Sequence, residues 1–258
     1  KDNYAIHNSG GVNVSGGSPI IKNCIVKNNN AGWAMGGIGF HQTNAKVLNS
    51  LFTNNGPCYG SAFAVWTGSN VELHHTTVVN NTGSWPIAAE NNSNISLINS
   101  VVWSNGDRQI SLGGGGDPSN PDTLNVSYSN IENGLDSTVY ISNGSSYGFV
   151  ISGSGNIDMD PMFVDTANGN YHLLASSQLI NAGHPDSTDS DGTRADIGVY
   201  PYLNTYSGPT WYISAAEGND TTATGASTAP FKSIQSAINF ATTNGDSVTV
   251  AAGTYVEN

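Results

Sequence analysis

One phrase returns down this 258-residue chain at residues 18–29, 44–55, 70–81 and 94–105, and in looser form at 123–133. It runs as a short alternating apolar segment, a turn residue followed by a small one, two or three apolar residues, and a closing Asn-Asn or Ser-Asn. Residues 44–55, for example, read Asn-Ala-Lys-Val-Leu-Asn-Ser-Leu-Phe-Thr-Asn-Asn. The equivalent positions Asn23, Asn49, His75, Asn99 and Tyr128 are 26, 26, 24 and 29 residues apart. Self-similarity at that period is the mark of one structural unit stacked on copies of itself, each burying the apolar face of the next. Ahead of each phrase lies a second apolar segment, at residues 11–14, 37–40, 63–66, 87–90 and 109–112. A hairpin closes in far fewer residues than this period, whereas two or three short strands per repeat, each pairing with its counterpart in the next, need all of it. The expected fold is all-β: a coil of parallel sheets whose inward side chains stack into ladders.

The column Asn23, Asn49, Asn99 is the expected structural ladder, because a buried Asn can bond the amides of the coils above and below it. His75 and Tyr128 interrupt the column and require a wider turn. Cys24 stands where other copies have Ser50, Thr76 and Ser100, an inward position for a small residue. Cys58 falls in a turn, and nothing in the repeat brings it to Cys24, so two unpaired thiols are expected.

Charged residues make up 10% of the chain, against about a quarter in an ordinary globular domain. The 31 Gly and 33 Asn suit a chain that turns every few residues, since both tolerate left-handed backbone. The regular apolar alternation argues against disorder. The net charge is −12, and the seven basic residues (Lys1, Lys22, Lys27, Lys46, Arg108, Arg194 and Lys232) are scattered. Nucleic acid and anionic membrane, which call for clustered basic residues, are therefore poor partners. No stretch approaches the roughly 20 apolar residues of a membrane span, and membrane insertion is not expected. Low Lys with high Asn, Ser, Thr and Gly fits an extracellular or cell-surface protein. The chain opens in mid-repeat, so Lys1 is not expected to be its natural start.

The stretches Asp160-Pro-Met-Phe-Val-Asp165, Asn170-Tyr-His-Leu173, 177–183 and 191–202 form one distinctive group. Trp211-Tyr-Ile-Ser214, 229–239 and 245–258 form another. With the repeats, they resemble the right-handed parallel β-helix proteins of the pectin-lyase-like fold, a secreted bacterial group. The first set is similar to that group's usual C-terminal end and the second to its usual N-terminal beginning. The resemblance covers nearly the whole chain. It implies a right-handed solenoid and a short capping α-helix near residues 230–243. It also implies two segments: 1–205, the C-terminal part of a β-helix with its terminal loops, and 206–258, the cap and first coil of a following or neighbouring-subunit β-helix. The residues themselves agree on the helix. Pro230 suits a first turn, Phe231, Ile234, Ile238 and Ala241 make an apolar stripe, and Gly245 suits its stop. With an ending ahead of a beginning, two unfinished coil ends would meet between molecules as a heterologous contact, which grows a filament when it does not close. A window of a tandem array and a fragment are the alternatives.

Many proteins of that resemblance cleave acidic polysaccharides, yet their constellations are not legible here. Arg108 and Arg194 are the only arginines, and neither sits on a regular strand beside acids, as a lyase requires. The Asn-Thr-Asp, Asp-Asp, Gly-His-Gly and Arg-Ile-Lys signatures of polygalacturonase-like hydrolases, which work by paired carboxylates, are absent. Catalytic residues are therefore not assigned. Asp158, Asp160 and Asp165 read as turn formers. Asp186, Asp189 and Asp191, followed by Gly192, have the oxygen-rich, Gly-bent character of a calcium loop without the spacing or closing Glu of an EF-hand. They are the candidate ligands for calcium, the one cofactor the sequence raises. Arg194 and Asp196 are expected to bond across the terminal loop. His74 and His75 are adjacent and on a strand would face opposite ways. Phe40 and Trp66, 26 residues apart, share a column that would stack on sugar faces if exposed and pack if buried, while Trp33, Trp85 and Trp103 stand outside it. Seven Asn-x-Ser/Thr sequons, beginning at Asn13, leave glycosylation open. The expected function is that of a structural extracellular β-helix protein associating with itself end to end into a filament or array. The alternative is a carbohydrate-binding or polysaccharide-degrading module with a polysaccharide partner.

Overall fold

A computed structural model describes residues 1–256, in two compact units, Lys1–Asp158 and Met159–Asn258. In the first unit each repeat contributes one strand to each of three sheets. The first sheet contains Val12–Ser15, Ile38–His41, Phe63–Trp66, Ile87–Glu90, Ile110–Gly114 and Val139–Ile141. The second contains Ile20–Lys22, Asn44–Leu48, Asn70–His74, Asn94–Ile98, Asp122–Ser127 and Gly148–Ser152. The third contains Ile25–Lys27, Leu51–Thr53, Thr77–Val79, Val101–Trp103 and Asn130–Ile131. Every pairing in these sheets is parallel. The chain is thus a parallel β-solenoid repeat protein.

Its core is a set of like-on-like stacks. Ala45, Val71, Ile95 and Leu124 lie in register in the second sheet, as do Val47, Leu73, Leu97 and Val126. Phe52, Val78 and Val102 do the same in the third, and Ile38, Phe63, Ile87 and Ile110 in the first. All are buried. The β-branched and aromatic residues that favour strands are also those that fill the narrow interior.

Corners explain the abundance of Asn and correct the expected ladder. Asn23, Asn49, His75, Asn99 and Tyr128 have φ of 55°, 47°, 49°, 50° and 48°, the left-handed region where Asn is the best tolerated residue after Gly. They turn the chain from the second sheet to the third. Asn23 and Asn49 are exposed, and Asn99 is buried with its Nδ2 3.1 Å from His75 Nε2. The internal amide ladder lies elsewhere, on the second Asn of each closing Asn-Asn. Asn3 Nδ2 donates to Asn29 Oδ1 (2.9 Å), Asn29 to Asn55 (3.1 Å), Asn55 to Asn81 (2.9 Å) and Asn81 to Asn105 (3.0 Å). The first Asn of the pair makes the corner, with φ of 56°, 55° and 56° at Asn28, Asn54 and Asn80. The Cys24 column is inward as expected: Ser50, Thr76, Ser100 and Ser129 are buried, and the backbone N–H groups of Cys24, Thr76 and Ser100 donate to the hydroxyls of Ser50, Ser100 and Ser129 in the following coils. Cys24 and Cys58 are both free.

In the second unit Phe163–Asp165 pairs antiparallel with Asn170–Leu173, and Thr210–Ile213 pairs parallel with Ser247–Val250. The expected helix is present over Ile234–Phe240. It starts later than Pro230 because Ser233 caps it, its Oγ accepting from Ser236 N, and because Phe231 is held in extended backbone bridged to Ile213. Its buried side is Ser236, Ala237 and Phe240, not the expected stripe, and Ile238 is exposed. Trp211, Phe231 and Phe240 pack ring to ring at 5.1–6.4 Å. Residues 160–202 and 209–256, from the stretches read in sequence as an ending and a beginning, lie within this one compact unit.

Candidate functional site

Strands with one wet face alternate apolar and polar residues, and the second sheet does so; the first does not. Ile38–His41, Phe63–Trp66 and Ile87–Glu90 are buried at nearly every position, so something covers the outer face as well. The outward positions nearest the centre of that face are small: Gly39, Ala64, Ala88 and Ser111 stand in register between Asn13 and Tyr140. Over this shallow floor the loops that precede the strands lay large rings.

Trp33 meets Trp66 edge to face, with centroids 5.8 Å apart, and His41 meets Trp66 at 5.5 Å. Tyr59 meets Trp85 at 5.7 Å, and Trp85 stacks on Tyr140 at 5.3 Å with the planes 10° apart. The Arg108 guanidinium lies 4.8 Å over the Tyr140 ring. Tyr59 and Trp66 share a cluster with Ala34, Met35, Ala64 and Ala88, which joins the two groups of rings into one face. Trp33 is 64% exposed, Trp85 and Tyr140 are half-buried, and Arg108 is exposed. Trp66 is buried, and its Nε1–H has no hydrogen-bond partner.

Two carboxylates lie close to Tyr59. Burial pushes Glu90 above the usual carboxylate range; the Tyr59 hydroxyl donating to it opposes the shift, and the Asp122 charge adds to it. Burial also raises Tyr59, with Glu90 beside it. Asp122 is buried and raised by that burial, although it accepts from the amides of Ser93 and Gly113, each at 2.7 Å. Gly114 makes room for Glu90, since a side chain there would strike its carboxylate. The face is therefore aromatic and polar on a rigid floor, with its acids engaged inside the protein.

Of the residues singled out from sequence, Trp66 belongs to this face and Phe40 does not. Phe40 pairs with Val65, and His41 with Trp66, so Phe40 points into the core and the expected Phe40–Trp66 column does not exist. The spacing along this part of the coil is 25 residues rather than 26, and one residue of slip reverses the face of a strand. The rings sequence reasoning passed over, Trp33 and Trp85, come from non-equivalent loop positions. Trp85, at φ 48°, occupies a left-handed corner whose counterparts are Met35 and Gly60. The legible signal was the small outward residues in strands lacking polar alternation.

In the second unit the expected calcium loop is built differently. Asp191 Oδ1 accepts from Thr193 N and Oγ1, its Oδ2 accepts from Asn204 N, and Asp189 Oδ2 accepts from Asp196 N. Asp186 is exposed. Asp186, Asp189 and Asp191 are thus not gathered as ligands, and among the described residues no group of three or more His, Cys, Asp or Glu is placed to hold a metal ion. The carboxylates staple the loop to itself. Asp196 accepts from Asn181 N and Tyr202 N, each at 2.7 Å, and Arg194 Nε donates to Gly183 O at 2.6 Å, the cross-loop bonding expected of them. Asp158, Asp160 and Asp165 each accept from a backbone amide. His74 lies 3.5 Å from Glu72, apart from the His75–Asn99 contact. Among the described residues no helix is long and apolar enough to cross a membrane.

Residues 216–258 match the family described as Protein of unknown function (DUF1565), a β-helix family. No curated protein and no solved structure matches the chain.

Proposed function

We propose that the first unit is a carbohydrate-binding solenoid module working outside the cell or at its surface, with the outer face of the first sheet as its binding surface. The observation that carries this reading is the gathering of Trp33, Tyr59, Trp66, Trp85 and Tyr140 onto one face. Sugar rings present weakly positive C–H faces, which suit the negative face of an aromatic ring, and hydroxyl rims, which suit polar groups between the rings. The solenoid holds its rings from several coils in fixed positions, so little side-chain entropy remains to be lost on binding.

The reading is one of binding rather than turnover. Glu90 accepts from Tyr59, and Asp122 accepts from backbone amides, so both acids serve the fold. Isothermal titration with a panel of soluble polysaccharides tests the proposal. Saturable binding that quenches Trp fluorescence and weakens in Trp33→Ala supports it; an unchanged affinity in Trp33→Ala and Trp85→Ala rejects this face.

A second reading, end-to-end association, is favoured by a separate observation. The edge strands Val12–Ser15 and Ile25–Lys27 carry Val12 and Ile25 at 48% and 55% exposure, in register with the buried Ile38 and Leu51 of the next coil. Exposed apolar edge strands are templates for further pairing. Another coil laid on them, from a second molecule or from the same polypeptide, would continue the stacks. Light scattering over a range of concentrations distinguishes rods that lengthen with concentration from a constant monomer, and the monomer would count against this reading.

A further inference from the structure

Resting on the carbohydrate-binding reading of the aromatic face, the charges around that face select the kind of glycan. We infer that its occupant is a neutral, hydroxyl-rich glycan rather than an acidic one, laid across Trp33, Trp85 and Tyr140. An acidic polysaccharide carries a negative charge at regular intervals and needs cations repeated along its path. Among the described residues such a row of cations is not placed there. Lys22 and Lys46 belong to strands of the second sheet and Lys27 to the third, and Lys46 is paired with Glu72 at 2.8 Å.

The basic residue at the face is Arg108, whose guanidinium lies on the Tyr140 ring. It serves there as a flat extension of the stack. Glu90 lies in register beside Trp66 and bonds Tyr59, with Asp122 near it, and the chain as a whole carries a net charge of −12. An acidic chain would therefore approach a surface of its own sign, whereas a neutral chain meets the rings without that cost. Neutral sugars also match the polar group on offer: the half-buried His41 ring can engage a hydroxyl.

The experiment uses the full chain and two pairs of soluble polymers, xylan and mixed-linkage β-glucan against polygalacturonate and alginate, in titrations at low and high salt. The expected result is binding to a neutral polymer that holds its affinity as salt rises. Trp33→Ala and Trp85→Ala, checked for unchanged melting, should each weaken it about tenfold. Binding to the acidic polymers alone, lost with added salt and weakened by Arg108→Gln, overturns the neutral assignment. The aromatic face itself survives that outcome if Trp33→Ala still weakens binding. Binding to none of the four polymers overturns both the assignment and the reading beneath it.

Discussion

Asn54 turns a corner at φ 55°, while Asn55, its neighbour, hangs inside the coil. There Asn55 Oδ1 accepts from Asn29 N and Nδ2, and its Nδ2 donates to Asn81 Oδ1 and Val26 O. The two roles make opposite predictions. Asn55→Ala strips a buried ladder of four bonds and leaves their partners dry, so it should lower unfolding free energy by about 2–4 kcal/mol in urea titrations. At the exposed corner Asn49, φ 47°, replacement by Gly should stay within about 0.5 kcal/mol of the parent. Asn49→Ala should cost about 1 kcal/mol, because a Cβ without a compensating side chain is strained in left-handed backbone. A large loss in Asn49→Gly, or none in Asn55→Ala, would restore the ladder to the corner column.

Between coils the closest approaches fall at small residues. At Gly37 a side chain would collide with the carbonyl oxygen of Ala62 in the next coil. Gly37→Ala should therefore force neighbouring coils apart and cost about 1–3 kcal/mol in the same titrations. The parallel coil, with two or three strands per repeat, could be read from the sequence because apolar alternation and a long period leave few other solutions. Two features could not. The choice between the corner Asn and the inward Asn was hidden, since both residues are chemically suited to both places. The aromatic face was hidden because its rings descend from loops whose positions differ coil by coil, and because the 25-residue step from Phe40 to Val65 defeats a fixed period of 26. In the second unit Asp186, Asp189 and Asp191 were recognisable as an oxygen-rich loop, but not that Asp189 and Asp191 would turn to the loop's own amides. Its electrostatics carry a pH signature. Burial, with Asp189 and Asp191 adding to it, pushes Asp196 from an ordinary 3.8 up to about 7. Between those values the folded state keeps a proton that the unfolded chain releases, so this group's contribution to stability falls as pH rises through that window. Urea titrations of the chain, following Trp211, should show the second unit losing stability from pH 4.5 to 7 by way of this group, and a flat profile would place Asp196 in the ionised form throughout.

At the scale of the whole molecule, the chain combines a repetitive unit, Lys1–Asp158, with a less regular one, Met159–Asn258. The repetitive unit supplies both the aromatic surface and the apolar edge strands. These two features separate experimentally: Val12→Lys and Ile25→Lys should suppress any concentration-dependent assembly seen by light scattering while leaving glycan affinity unchanged, whereas Trp33→Ala should do the reverse. If both properties fall together, the two surfaces are not independent. The column of side-chain amides adds a last consequence. Every link from Asn3 to Asn105 donates forward, Asn105 passes to Gln109, and Gln109 donates to Glu132. Such a one-way relay has a head and a tail, and a carboxylate closes it well because it accepts without holding a hydrogen that then needs a home. A repeat spliced in upright would extend the relay by one step; one laid upside down would set like against like, so the interior itself records which way is up.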